Sequence, residues 1–141
     1  MFDIKCPFVA VDVIVEINDK IVLISRKNPP YGWAIPGGFV DYGEKLEDAA
    51  IREIKEEISL DVELVTLLGV YSDPERDKRL HAASAVYIGV SDGTPVAADD
   101  AKEAKLFSVD DLPTMVFDHS LILNDYIKYK ASKELPPPRP S

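Results

Sequence analysis

An α/β/α sandwich around a mixed β-sheet is the architecture that this 141-residue sequence predicts. Short apolar runs with strand character dominate the chain, one strongly acidic helix follows a glycine-rich turn, and a second helix lies near the C-terminus. A chain of this length makes one domain with enough core to dispense with disulfides. Its expected boundaries are residues 1–134, followed by a proline-rich tail over residues 135–141.

Residues 8–15 read as the first strand, and residues 20–24 return across an Asn18-Asp19 turn as its hairpin partner. Arg26, Lys27 and the segment Asn28-Pro29-Pro30-Tyr31-Gly32 then form a loop, punctuated by proline and glycine. Trp33-Ala34-Ile35 is a short strand leading into a turn at Pro36-Gly37-Gly38. The acidic helix runs from about Glu44 to Ser59. Residues 62–71 and 82–90 are longer strands separated by a polar loop, and residues 105–108 form another short strand. A turn or short helix starts at Asp110. The second helix covers residues 119–131, with Leu121, Ile122, Tyr126 and Ile127 as its buried side. The ending Leu-Pro-Pro-Pro-Arg-Pro-Ser has no means of building a core and reads as polyproline-like.

A net charge of −9 argues against a nucleic-acid polymer as partner, because a phosphate backbone needs a basic footprint. A small phosphorylated substrate stays allowed, since a metal and a few local arginines suffice to hold it. Cys6 is the single cysteine, so an intrachain bridge is impossible and a reducing cytoplasm is the expected compartment. Residues 1–5 lack a basic leader, and Asp12 and Glu16 interrupt the apolar run from 8 to 17. Neither a signal peptide nor a membrane span is therefore expected.

The acidic helix carries the chemistry. At about 100° per residue, Glu53, Glu56 and Glu57 share one arc, and Ile51, Ile54 and Ile58 share an adjacent arc that faces the core. Three carboxylates on one face repel, and the helix dipole disfavours acids in the last turn by about 0.3–1 kcal/mol each. A bound divalent cation reverses both penalties. Ala49 and Ala50 are small enough to let the Gly37-Gly38 backbone approach, so loop carbonyls and helix carboxylates can converge on one ion. Oxygen donors without His or Cys point to Mg²⁺, with Mn²⁺ as the alternative.

Gly38, Glu44, Arg52-Glu53-Ile54-Lys55-Glu56-Glu57 and Leu60, at these spacings, resemble the signature of the Nudix hydrolases, which cleave nucleoside diphosphates linked to another moiety. The departure is Ser59, where the family pattern has glycine, the residue best suited to a left-handed helix exit. The resemblance implies a Nudix-type α/β/α sandwich and a metal-dependent pyrophosphohydrolase. It assigns Glu53, Glu56 and Glu57 as metal ligands together with a carbonyl of Gly37 or Gly38, and it makes Arg52 their orienting partner. Glu44 has a structural role and a metal role in balance. The water's proton goes to Glu53, to Glu57 or to a later acid: Asp99, Asp100 or Glu103, with Glu103 the position most like one that reaches the metals in relatives.

Substrate selection has to come from outside the helix. Pro74 lies fourteen residues beyond Leu60, a spacing similar to that of the ADP-ribose pyrophosphatase branch, and Arg76, Lys78 and Arg79 follow it closely. Arg76 and Arg79 are candidates for a terminal phosphate or ribose, and Arg26 for a phosphate. Trp33 is expected to pack, Phe39 packs or stacks on a base, and Tyr31, Tyr42 and Tyr71 stay open. His81 and His119 read as structural polar residues or substrate contacts. ADP-ribose hydrolysis to AMP and ribose 5-phosphate is the leading reading. A triphosphate house-cleaning enzyme, a diadenosine polyphosphate hydrolase and a non-catalytic nucleotide sensor are the rivals, and a homodimer is compatible with all of them.

Overall fold

The computed structural model describes residues 4–141; residues 1–3, part of the stretch read as lacking a basic leader, lie outside it. Its elements are β1 Phe8–Ile17, β2 Lys20–Arg26, β3 Trp33–Ala34, β4 Gly37–Phe39, α1 Leu46–Ile58, β5 Glu63–Tyr71, β6 Ala82–Val90, β7 Ala101–Phe107 and α2 His119–Ser132. Asn18 and Asp19, with φ of 48° and 66°, make the left-handed two-residue turn that the twist of a hairpin favours. The strands run in the order β3-β2-β1-β6-β5, with β4 paired to β1 and β7 to β2. β1 and β6 are parallel and the other pairs antiparallel, so the sheet is mixed as expected.

The period-two alternation of β1 divides the core into two layers. Val11, Val13 and Val15 pack with Ile54 and Ile58 of α1, whereas Ile14 packs with Leu68, Val86, Ile122 and Tyr126 on the α2 side. Both helices thus cover opposite faces of one sheet, which is the predicted sandwich.

Several details differ from expectation, each for a local reason. α1 starts at Leu46 rather than Glu44, because Lys45 is extended and the Glu44 carboxylate is engaged ahead of the helix, accepting the Asp41 N–H at 3.0 Å. Ile51 is 43% exposed, since the helix presents Ala49, Ala50, Ile54 and Ile58 to the sheet and position 51 falls on its flank. On α2 the buried stripe is His119, Ile122, Leu123 and Tyr126, which turns Leu121 outward. Gly37–Phe39 is a strand rather than a turn, and β7 begins at Ala101 because β2 offers it partners as far back as Arg26. Ser59 closes α1 in the left-handed conformation with φ of 62°, and its hydroxyl donates to the Val96 carbonyl at 3.1 Å. Residues 134–141 hold no helix or strand, yet they dock: Arg139 bonds the buried Asp125, which also accepts the Tyr71 hydroxyl at 2.7 Å.

Candidate active site

A cavity of about 310 Å³ opens where β1, β4, α1 and the start of α2 meet. Its wall includes Asp12, Gly37, Gly38, Glu53, Glu57 and Asp100, together with Arg26, Arg76, Arg79, Phe117 and His119. Acids and arginines therefore face one space.

Glycine makes the acidic side possible. A methyl group at Gly38 would collide with the Glu53 carboxylate, and one at Gly37 would collide with the Val11 carbonyl and Asp12. The absence of side chains at Gly37 and Gly38 lets α1 press its carboxylates against β4, and the Gly37 N–H donates to Glu57 Oε1 at 3.0 Å. Glu57 is 6% exposed. Burial pushes its pKa up to about 8, reinforced by Glu53 and Asp12 and opposed by the Gly37 N–H. Burial also raises Glu53, against the pull of Arg52. Asp12 is raised to about 6 by burial, although Ser84 donates to it. Such a cluster holds too much negative charge for its surroundings.

Arg52 organises the outer side of this cluster. Its guanidinium donates to both oxygens of Glu44, at 2.8 and 2.9 Å, to Glu53 at 2.8 Å, to Glu56 at 3.1 Å and to the Phe39 carbonyl at 3.2 Å. That contact holds Glu44 down at about 2, so Glu44 serves as the fixed counter-ion of Arg52. Glu56 shares one nitrogen of Arg52 with Glu53 but stands at the exposed rim, outside the cavity wall.

Among the described residues no group of three or more His, Cys, Asp or Glu side chains is placed to hold a metal ion by itself. The donor set is an open one: Glu53 and Glu57, with one Glu57 oxygen already fixed, beside close-lying strand backbone. This suits a hard divalent cation that keeps several waters and takes further ligands from substrate phosphates. The residues present fit such an ion.

The basic side is less free than the sequence suggests. The Arg76 side chain is 6% exposed and forms a two-point pair with Asp118, at 2.9 and 2.8 Å. Arg79 is gripped in the same way by Asp77, at 3.0 and 2.8 Å, and Arg26 donates to the Pro30 carbonyl at 2.9 Å. All three still line the cavity.

Glu103 stands elsewhere than the sequence predicts. It lies within β7 opposite Ser25, pairs with Lys105 at 3.2 Å and is absent from the cavity wall, because the longer strand carries it away from the loop where the sequence reading placed it. Asp100, one residue before β7, lines the cavity instead, bonded by Asn28 at 3.3 Å. Trp33 packs edge-on against Phe107, with ring centroids 5.0 Å apart. His81 binds the Ser72 carbonyl, while Phe39 lines the cavity and is 41% exposed. Sequence reasoning missed Asp12 and Phe117. Asp12 had a signal: a carboxylate amid an apolar, β-branched strand has to be accommodated somewhere.

A carboxylate-bearing helix packed on a glycine strand inside an α/β/α sandwich defines a class of hydrolase acting on phosphoric anhydrides. The NUDIX domain model matches residues 7–126, and the chain belongs to the Nudix family. It is 51% identical over 127 residues to the ADP-ribose pyrophosphatase of Methanocaldococcus jannaschii, covering 88% of this chain and 75% of that protein. Among solved structures, a bifunctional NMN adenylyltransferase/ADP ribose pyrophosphatase from Francisella tularensis, complexed with AMP and a Mn ion, superposes with TM-score 0.77 at 32% identity. The match covers 90% of this chain but 43% of that one. A Nudix hydrolase from Nitrosomonas europaea gives TM-score 0.80 at 26% identity, covering 91% and 74%. Among the described residues no helix is long and apolar enough to cross a membrane.

Proposed function

We propose that this chain hydrolyses ADP-ribose to AMP and ribose 5-phosphate, with Mg²⁺ as its cation. The observation that carries this reading is the meeting of Glu53 and Glu57 with Arg26, Arg76 and Arg79 around one cavity. A pyrophosphate needs both sides: oxygens that hold cations, and cations that hold its own oxygens. The likeness to the Methanocaldococcus enzyme supports ADP-ribose as the nucleotide.

Glu53 and Glu57 would hold the ion, with the Gly37-Gly38 backbone beside them and Glu56 next to them at the rim. When bound, Mg²⁺ supplies charge neutralisation of the phosphate oxygens and activation of a water. Arg52 keeps Glu53 and Glu56 oriented through its nitrogen, while Glu44 neutralises the opposite edge of the guanidinium. Asp100, a carboxylate of the wall outside the helix, accepts the proton of the attacking water. Arg26 and Arg79 draw the phosphates inward, and Phe39 offers a ring for the base. The molecule works on a small nucleotide, in the cytoplasm, where its lone cysteine stays reduced.

Incubation of the purified protein with ADP-ribose, triphosphates and dinucleotides in Mg²⁺, followed by chromatography, tests the reading. AMP with ribose 5-phosphate is the expected product pair. Pyrophosphate from a triphosphate, with ADP-ribose left intact, would overturn it.

A further inference from the structure

Phe117 lies two residues ahead of α2, on the wall of the same cavity. Its φ of 55° is left-handed, a conformation that side chains other than glycine adopt only when the surroundings impose it. The surroundings are visible. On one side the Val116 N–H donates to the Trp33 carbonyl at 2.9 Å, and on the other the His119 N–H donates to the Val116 carbonyl at 3.2 Å. The chain is thereby pinned on both sides of a strained residue, and the strain aims one ring into the site.

That ring meets two cations. The guanidinium carbon of Arg26 lies 5.2 Å from the ring centroid and that of Arg79 lies 5.3 Å from it, both within cation–π range. The two arginines come from unrelated segments, the end of β2 and the loop between β5 and β6. Arg79 is anchored by Asp77; the Arg26 guanidinium donates, among the described residues, to the carbonyls of Pro30 and Pro29 alone. Two guanidiniums beside one ring repel, and Arg79 is indeed one of the groups that weakens the hold of Arg26 on its proton, after burial. The electron-rich ring offsets part of this repulsion, and an anion between the two cations would offset the rest.

We propose that Phe117 is a positioning residue that holds Arg26 and Arg79 together as a two-guanidinium receptor for one phosphate of the substrate. This deepens the reading above and rests on it for the arginines' role. Phe117 touches no reacting atom; it acts through the cations it gathers.

The test combines calorimetric titration of ADP in EDTA with ADP-ribose kinetics in Mg²⁺, on the parent, Phe117→Leu, Phe117→Tyr and a variant carrying pentafluorophenylalanine at 117. The fluorinated ring keeps the shape of phenylalanine and inverts its quadrupole, so it remains informative even if Phe117→Leu fails to fold. Loss of two cation–π contacts predicts that ADP binding weakens about tenfold and KM rises about tenfold in the leucine and fluorinated variants. The value of kcat stays within about threefold, and tyrosine restores parent behaviour. Parent-like binding and KM in the fluorinated variant, or no ADP binding by the parent, would overturn the proposal. A parent that leaves ADP-ribose intact while its variants lose ADP affinity would sink the substrate reading and keep the receptor. Turnover of ADP-ribose with unchanged variants would do the reverse.

Discussion

His119 is fixed by the fold in one tautomer. The Ile35 N–H donates to its Nδ1 at 2.9 Å, so the ring proton sits on Nε2. Burial, aided by Arg76 and Arg26, lowers its pKa to about 3. The expected outcome is an imidazole whose nitrogen NMR signals stay those of the neutral Nε2–H form from pH 5 to 8; titration in that window would contradict the geometry. The carboxylates make a second residue-scale prediction. Glu57→Gln removes the buried carboxylate proposed to hold the cation and should lower kcat by about a hundredfold or more while the protein stays folded. Asp100→Asn should also cost about a hundredfold, whereas Glu103→Gln, outside the cavity, should leave kcat near the parent value. The reverse order in Mg²⁺-dependent kinetics would restore Glu103 to the role that the sequence first gave it.

At the scale of elements, the parts with strong local signals were legible in the sequence. The Asn18-Asp19 hairpin, β6 and the acidic helix all stand where periodicity and turn chemistry place them. Legibility failed where long-range pairing decides. β4 is a strand only because β1 accepts Gly37–Phe39 as a partner, and β7 reaches back to Ala101 only because β2 extends to Arg26. That second shift carries Glu103 away from the cavity wall. The aim of Phe117 depends on one left-handed torsion that no spacing reveals. The proline-rich tail builds no core of its own, yet its Arg139 reaches Asp125, which is 3% exposed. Removing Arg139 leaves that buried carboxylate with the Tyr71 hydroxyl. Arg139 itself is 44% exposed, so the cost expected for Arg139→Ala is discounted for screening to about 1–2 kcal/mol. Deletion of residues 135–141 should cost at least as much. An unchanged denaturant midpoint in both variants would return the tail to a solvated appendage.

For the whole molecule, buried groups of opposite kinds give stability a pH dependence that a cation should rewrite. Glu57 is raised to about 8 from an unfolded value of 4.5, so its contribution is complete below pH 4.5 and is lost as pH rises through about 8. Asp12, raised to about 6, acts in the same direction between its unfolded value of 3.8 and that point. His119 is lowered from 6.5 to about 3, and its contribution is present above pH 6.5 and lost as pH falls toward 3. The His119 and Glu57 effects oppose each other between pH 4.5 and 6.5, leaving Glu57 dominant from 6.5 to 8. In EDTA, stability should therefore fall across that upper window by about 1.4 kcal/mol per pH unit, on the order of 5 °C in Tm per unit. If the helix carboxylates hold Mg²⁺ as proposed, millimolar Mg²⁺ binds their ionised form in the folded state and should flatten or invert this slope and raise Tm most at pH 8. Thermal melts at pH 6.5, 7.25 and 8, with EDTA and with Mg²⁺, measure both arms. A flat profile in EDTA would mean that Glu57 ionises freely in the folded chain. Superimposable profiles with and without Mg²⁺ would mean that the helix carboxylates hold no ion, and the proposed catalytic role of Glu53 and Glu57 would fall with them.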